Sequence, residues 1–493
     1  MSIKKFILIG SGISSLTLAL LLLKEGHQVT ILEQHYVPGG YLHCFKRFGF
    51  KYETGAHYVG ALGKDLPFYR LLNYLGVYHA EDFVELSAHD LDIYYFEDFQ
   101  FSYTLGYKQN IYRLTEQFPQ NKEQIEQYFS LVEQAAHSFP TYYFKREYNE
   151  QKMLGYLEVT LEQVLNDLSI QGRLRKILEA PCILHGVSPK EISFGIHSIL
   201  IDSITVSAHG FKNGGQALAQ RFVDKIIELG GEIKLSHKVT EIRLKESFIT
   251  EVVCENGAEF SGDEYISGIH PKILFEMIGL EKLRTSFRHR LQKIPESCPF
   301  VGAYLTLKNN LTLNPHSNYF FIPEQLLYKE QEVTLENQFG FMATSDRSYS
   351  GNSKFPLAIH ASCPPHYFEK WKSITSKITE KEYIKAKENI FTPLLKKIDQ
   401  KIEGFSHSIV DICYSSTLTN SRFNPSPNGS AYGFYHDRSV TGARSLGPKT
   451  QFSNLYLTGQ NTLFPGILGA SVSGLRTCSY FTGMSTILKR IEY

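Results

Sequence analysis

Three short clusters in this sequence hold the residue types that chemistry needs. The first is Gly10-Ser-Gly-Ile-Ser-Ser15, directly after the apolar run Lys5–Ile9. Gly10 permits a tight turn, and Gly12 lets the backbone approach a pyrophosphate. The helix that follows offers that anion free N–H groups and a positive dipole end. Glu33 comes 21 residues after Gly12, where a carboxylate accepts hydrogen bonds from ribose hydroxyls. Ser15 takes the third small position, which governs close packing of helix on sheet. The second cluster ends in Pro38-Gly39-Gly40. Two glycines there let a loop lie flat beside an extended cofactor, and such a turn is not a feature of NAD dehydrogenases. The third is His57-Tyr58, set between Gly55 and Gly60. A phenol at such a turn can donate a proton or pack on a ring.

The elements that must position these residues are legible around them. Lys5–Ile9 reads as a buried strand, Leu16 to Lys24 as a helix stopped at Gly26, and Gln28 to Glu33 as a second strand. Strand, glycine loop, helix, strand and acid together predict an adenine-dinucleotide site. Further on, Gln216 to Leu229 reads as a helix, Glu232 to His237 as a strand and Val239 to Arg243 as the next. The stretches Asp90–Phe96 and Phe99–Leu105 read as a hairpin, and Phe300–Leu307 as a strand. Helices are expected at Glu123–Phe139, Leu161–Glu179 and Glu380–Ile398. No internal repeat, low-complexity tract or long linker interrupts the pattern.

Composition narrows the classes. The chain has 493 residues with 51 basic and 50 acidic side chains, a net charge of +1. That balance argues against general electrostatic binding of nucleic acid. The seven cysteines are single, without a C-x-x-C pair, which excludes a redox dithiol and fits a reducing compartment. HExxH is absent and the 18 histidines show no metal-ligand spacing, so no metal is expected. A second Gly-x-Gly-x-x-Gly after a strand is also missing, which argues against a separate NAD(P)H domain. The longest apolar run, Leu16–Leu23, is too short to span a bilayer. A cytoplasmic chain is expected, with membrane-surface contact left open. The helix Leu66–Leu75 is a candidate for that contact, although a core-facing role is favoured. Aromatic residues make up 13%, which suits a tunnel for an apolar ligand and equally suits a base-composition bias.

The stretch from Glu33 to Gly60 resembles the flavin enzymes grouped with phytoene desaturases. Within them it is most similar to the retinol saturase and carotenoid cis–trans isomerase branch, whose Gly-x-His-Tyr-x-Gly it repeats as Gly55 to Gly60. The resemblance recurs at Gly210–Gly215, Ile266–Pro271, Pro427–Gly433, Asn454–Gln460 and Pro465–Gly474. It departs at Ser14-Ser15, usually two small residues and often glycine, and at Gln460, often Asp.

The resemblance implies an α/β fold: a Rossmann-like FAD-binding domain of glutathione-reductase, amine-oxidase-like type, interleaved with an α+β substrate domain. Residues 1–62, 208–275 and 446–493 would form the first, and 63–207 and 276–445 the second. It implies FAD contacts at Gly10, Gly12, Ile13, Ser14, Ser15, Glu33, Gln34, Gly39, Gly40, Tyr58, Val239, Gly459, Gln460, Gly466 and Ile467. Tyr58, His57 and Tyr432 are the catalytic candidates. The implied activity is that of an FAD-dependent oxidoreductase acting on carbon–carbon double bonds of a polyene or other long apolar substrate, by saturation, desaturation or isomerisation. An amine oxidase-like enzyme and a non-catalytic flavin scaffold are the alternatives. His270 is expected as a turn residue, His185, His197 and His209 as satisfied or solvated histidines, and Glu53 and Glu191 as solvated carboxylates.

Overall fold

The computed structural model describes residues 2–309, 311–326, 328–329, 332–348, 354–373 and 377–492. Five parallel strands form its central sheet, in the order Glu232–Lys234, Gln28–Leu32, Lys5–Ile9, Glu264–Ser267 and Leu455–Leu457. Its middle strand is apolar and buried from Phe6 to Ile9 because both faces are covered there. Phe6 and Leu8 pack toward helices, while Ile7 and Ile9 pack toward the antiparallel sheet Val239–Lys245, Phe248–Cys254 and Glu259–Phe260.

The helix Ile13–Lys24 is buried from Ile13 through Leu23, as expected of a helix apolar on every side. It starts three residues before Leu16, because Gly12 takes the extended geometry of an N-cap (φ −61°, ψ 162°). Ile13, Ser14 and Ser15 therefore form its first turn. Ser15 lies against Gly268, where a Cβ would collide with its hydroxyl, and Gly474 of the helix Ile467–Thr482 lies against the Ser14 carbonyl in the same way. Gly268 against the small Ser15 side chain, and Gly474 against the Ser14 carbonyl, thus let a strand end and a second helix close on the first turn.

A seven-stranded mixed sheet forms the other wall. Its order is Ile409–Ser415, Phe300–Lys308, Lys354–Ser362, Gly340–Thr344, Asn318–Phe321, Asp92–Tyr95 and Gln100–Tyr103. The last two strands are the hairpin read from sequence, paired Asp92 to Tyr103. The helix Lys377–Lys401 covers one face, with Ile390, Phe391, Leu394 and Ile398 against Ile359 and Ala361. Strand alternation puts His360 on the opposite face. Register then lines up Gly302, His360, Phe341, Phe320 and Tyr94 as one cross-strand row. A three-stranded sheet of Tyr58–Gly60, Ala208–Phe211 and Phe83–Glu85 lies at the join.

One expectation changes and another holds. The helix expected over Leu161–Glu179 is two helices, Leu161–Asp167 and Gly172–Glu179. Ser169 and Gly172 take positive φ of 54° and 63° between them, which ends one helix and restarts the next at a new angle. The helix Pro67–Leu75 turns its apolar face inward, with Phe68, Leu71, Leu72 and Leu75 fully buried. No helix among the described residues is long and apolar enough to cross a membrane.

Candidate active site

One cavity of ≈ 610 Å³ runs from the glycine loop to the aromatic row of the seven-stranded sheet. Its first end is built by positive-φ glycines. Gly10, Gly39 and Gly40 take φ of 91°, 116° and 56°, a region that side chains avoid. Gly40 passes so close to Gly12 that a Cβ would lie 3.3 Å from the Gly12 Cα. Gly12 and Gly466 are different. A Cβ built on either meets no atom within 4 Å, because both line the cavity. They are helix N-caps, and the helices Ile13–Lys24 and Ile467–Thr482 turn their N-termini to the same space.

Glu33, just beyond its strand, is buried at this end. Its Oε2 accepts from the Ser11 N–H at 2.8 Å and the Ser11 hydroxyl at 2.6 Å, and its Oε1 accepts from the His35 N–H at 2.8 Å. A carboxylate has about four acceptor positions, so capacity remains for a ribose hydroxyl. Gln34 and Val239 line the cavity beside it, and Ser14, Ser15, Gly459, Gln460 and Ile467 continue the wall. Two helix N-termini, a glycine cradle open where a phosphate needs room, and a carboxylate with spare acceptors form a donor set that fits FAD.

The far end is where sequence reasoning was least complete. Glu53 is fully buried rather than solvated. It closes the strand Phe50–Glu53 and tucks beneath the turn that carries His57, with its Oε2 3.2 Å from His57 Nδ1. Burial pushes Glu53 up to about 8 and His57 down to about 3. The other ring nitrogen of His57 lies 2.7 Å from His360 Nε2, and both rings line the cavity. Burial likewise holds His360 well below the ordinary imidazole range. Arg347 donates to the His57 carbonyl at 3.2 Å.

Tyr58 also lines the cavity, and its hydroxyl donates to Asp92 Oδ2 at 3.1 Å. Asn318 donates to the other Asp92 oxygen at 2.8 Å. Burial pushes Asp92 up to about 6. Burial and the Asp92 charge together hold Tyr58 well above the usual phenol range. Tyr432 reaches the cavity from the opposite side and donates to the Ile183 carbonyl at 3.2 Å. His360, Asp92, Asn318 and Arg347 were missed. The usable signals were the Glu53-x-x-x-His57 spacing, and single polar residues inside the apolar strands Leu357–Ala361 and Asp92–Tyr95.

The remaining candidates separate cleanly. His270 caps the helix Pro271–Ile278 and pairs with Glu296 at 3.1 Å, a turn residue as expected. Glu191 pairs with Lys329 at 2.7 Å and accepts from the Tyr435 hydroxyl at 2.8 Å, so it is held rather than merely solvated. His185 lines the cavity. It forms with Cys182 and His197 a buried group whose ligand atoms all lie within 4.8 Å of one another, a spacing the sequence reading passed over. The hydrogen bonds are those of neutral imidazoles. The Val187 N–H donates to His185 Nδ1 at 3.3 Å, which leaves the His185 proton on Nε2, 3.2 Å from His197 Nδ1. A ring so arranged carries its proton on the nitrogen that would have to ligate a metal.

A parallel sheet with a phosphate loop, joined to a second sheet across a long cavity that fits FAD, defines an FAD-dependent oxidoreductase. The chain belongs to the flavin-containing amine oxidoreductase family, whose profile matches residues 13–480. Among curated relatives, the all-trans-retinol 13,14-reductase of Danio rerio is 25% identical over 98% of this chain and 86% of its own length. The 4,4'-diapophytoene desaturase (4,4'-diaponeurosporene-forming) of Staphylococcus haemolyticus is 24% identical over 49% of this chain and 50% of its own. Among solved structures, cyclohexylamine oxidase from Brevibacterium oxydans superposes with a TM-score of 0.60 at 13% identity, covering 100% of both chains. That likeness concerns the fold.

Proposed function

We propose that this protein is an FAD-dependent oxidoreductase that saturates a carbon–carbon double bond of a polyene or similar long apolar substrate. Residues 1–62, 208–275 and 446–493 hold the cofactor in this reading, and 63–207 and 276–445 shape the substrate side. When bound, the flavin supplies hydride exchange with a carbon–carbon unit. The protein's part is to bind the chain, exclude water and manage one proton. His57, Tyr58 and Tyr432 surround the reacting end, and Gly10, Gly12, Glu33, Gly39, Gly40, Val239, Gly459, Gln460 and Gly466 hold the cofactor.

The observation that carries this reading is the cavity wall. The row of His360, Phe341 and Phe320 is aromatic, and Phe300 and Phe339 extend it. Burial favours the uncharged form of every titratable group set among these rings: Glu53, His57 and His360. Asp92 is occupied by Tyr58 and Asn318. Among the described residues an ammonium substrate would find no free carboxylate here, whereas an uncharged polyene meets a matching surface. Retinoids, carotenes and polyunsaturated lipids offered without oxygen to the dithionite-reduced protein test this. At least one class should reoxidise the flavin and appear as a saturated product. Turnover of small amines, with all the apolar compounds refused, would replace this reading with an amine oxidase.

A further inference from the structure

Saturation adds a hydride to one carbon and a proton to its neighbour, so the proton needs a source within reach of that carbon. Tyr58 is the obvious donor, but its hydroxyl proton is already directed at a carboxylate. A second set of groups has the better geometry. Glu53, His57 and His360 lie in line at 3.2 and 2.7 Å, and all three are buried. They come from parts of the chain 303 residues apart that meet where the two sheets face each other. His360 Nδ1 has no hydrogen-bond partner among the described residues, and the ring lines the cavity between Gly302 and Phe341. The rings of Phe341 and Tyr304 flank it, at 6.4 and 6.0 Å between centroids.

We propose that Glu53, His57 and His360 form a proton relay whose outlet is His360 Nδ1, delivering the proton that saturation requires. This rests on the double-bond reading above, with reduced flavin as the hydride donor. Two hydrogen arrangements satisfy both contacts. In the loaded one, the Glu53 carboxyl donates from Oε2 to His57 Nδ1, His57 Nε2–H donates to His360 Nε2, and His360 carries a proton on Nδ1. In the discharged one, His57 Nδ1–H donates to the Glu53 carboxylate, His360 Nε2–H donates to His57 Nε2, and His360 Nδ1 is bare. The step between them moves three protons: Oε2 to Nδ1 of His57, Nε2 of His57 to Nε2 of His360, and Nδ1 of His360 to the substrate carbon. Both rings begin and end neutral. The substrate gains H⁻ from reduced flavin and H⁺ from the relay, and Glu53 is left as a carboxylate that recovers its proton from solvent. Burial supports the loaded arrangement near neutral pH, with Glu53 held up to about 8 and the rings unprotonated. The groups facing Glu53 are His57, the Arg347 guanidinium, Ser345, Asp346 and the Cys44 thiol.

Two readouts test the relay. The first needs no turnover: ¹⁵N NMR of histidine-labelled holoenzyme reports which ring nitrogen carries the proton. At neutral pH His57 should be the Nε2–H tautomer and His360 the Nδ1–H tautomer. Both should switch together as pH rises through the Glu53 titration, with no imidazolium signal from either ring. Tautomers that stay fixed, or that switch independently, would overturn the proposal even if no substrate has been found. The second is single-turnover saturation by the dithionite-reduced holoenzyme. Glu53→Gln and His360→Asn should each lose about 10²–10⁴-fold, while flavin content and cis–trans isomerisation of the same polyene persist. Saturation within threefold of wild type in both variants, with the loss found instead in Tyr58→Phe, would assign the proton to Tyr58. A wild-type enzyme that reduces no polyene would refute the substrate reading, and the NMR result would still decide the relay.

Discussion

Replacing Glu33 with glutamine probes how the cofactor end is assembled. Three protein donors converge on this carboxylate, the Ser11 N–H and hydroxyl and the His35 N–H, at 2.8, 2.6 and 2.8 Å. Glutamine offers one oxygen. With that oxygen toward Ser11, the amide NH₂ faces the His35 N–H, donor against donor; the reverse orientation sets it against both Ser11 donors. A hydrogen bond to a charged group contributes about 1.5–3 kcal/mol, and a neutral one roughly half as much. Losing one such bond costs about 1.5–3 kcal/mol and halving two others costs about as much again, about 3–6 kcal/mol in all. These bonds hold the loop in its cradle shape, so where the flavin-free loop relaxes FAD must restore it, and at about 1.4 kcal/mol per decade affinity should fall by up to about 10²- to 10⁴-fold. Loss of a single ribose contact, about 1.5–3 kcal/mol, would account for about 10- to 140-fold. Fluorescence titration of FAD-stripped protein measures the change. Because Ser11 belongs to the loop itself, the flavin-free variant should also melt below the flavin-free wild type. A dissociation constant within threefold of wild type, or identical melting of the two flavin-free proteins, would refute the reasoning.

Gly12→Val should behave in the opposite way. The apo protein has room for the side chain, so its melting should stay within a degree or two, while the purified protein is colourless; retained stoichiometric flavin would remove Gly12 from the phosphate cradle. Gly268→Ala drives a methyl group into the Ser15 hydroxyl and should destabilise the fold by about 1–3 kcal/mol, part of which Ser15→Ala restores in a double-mutant cycle. Additive effects in denaturant melts would separate the two positions. Burial raises Glu53 to about 8, so the folded state keeps a proton that the unfolded chain has lost above the ordinary carboxylate range. Wild-type stability should therefore carry a component that falls as pH rises from about 4.5 to about 8. His57 and His360 act in the other direction below about 6.5, so the comparison is read between about 6.5 and about 8, where both rings are neutral in the folded and the unfolded chain. The stability of Glu53→Gln minus that of wild type should grow with pH across that window, and a constant difference would place Glu53 in solvent.

The sequence revealed what is local and concealed what is assembled. Gly10, Gly12 and Glu33 lie in one strand–helix–strand unit, where periodicity and spacing suffice. Ser15 was placed by its size, and its contact with Gly268 supplies the reason. Glu53 was read as solvated because a lone carboxylate usually is. Only the fold shows that the turn at His57 covers it. His360 carried no motif, since its meaning comes from register: alternation turns it away from Ile359 and Ala361, and pairing with Phe341 sets it into the aromatic row. The break at Ser169 was invisible because leucine spacing continues on both sides of it.

The order of strands in the parallel sheet bears on how the protein is made. The strand Lys5–Ile9 precedes its partners on one side by a long stretch of chain: one neighbour ends at Ser267 and the edge strand beyond that neighbour ends at Leu457. The glycine loop is synthesised long before it can be enclosed, because Gly459 and Gly466 arrive with that edge strand and the helix behind it. Pairings of such sequence separation form slowly, and a nascent chain holds its phosphate loop open until they do. A ligand that binds only the enclosed loop stabilises the pairing of segments more than 400 residues apart, so FAD binding and closure of the parallel sheet should be thermodynamically linked.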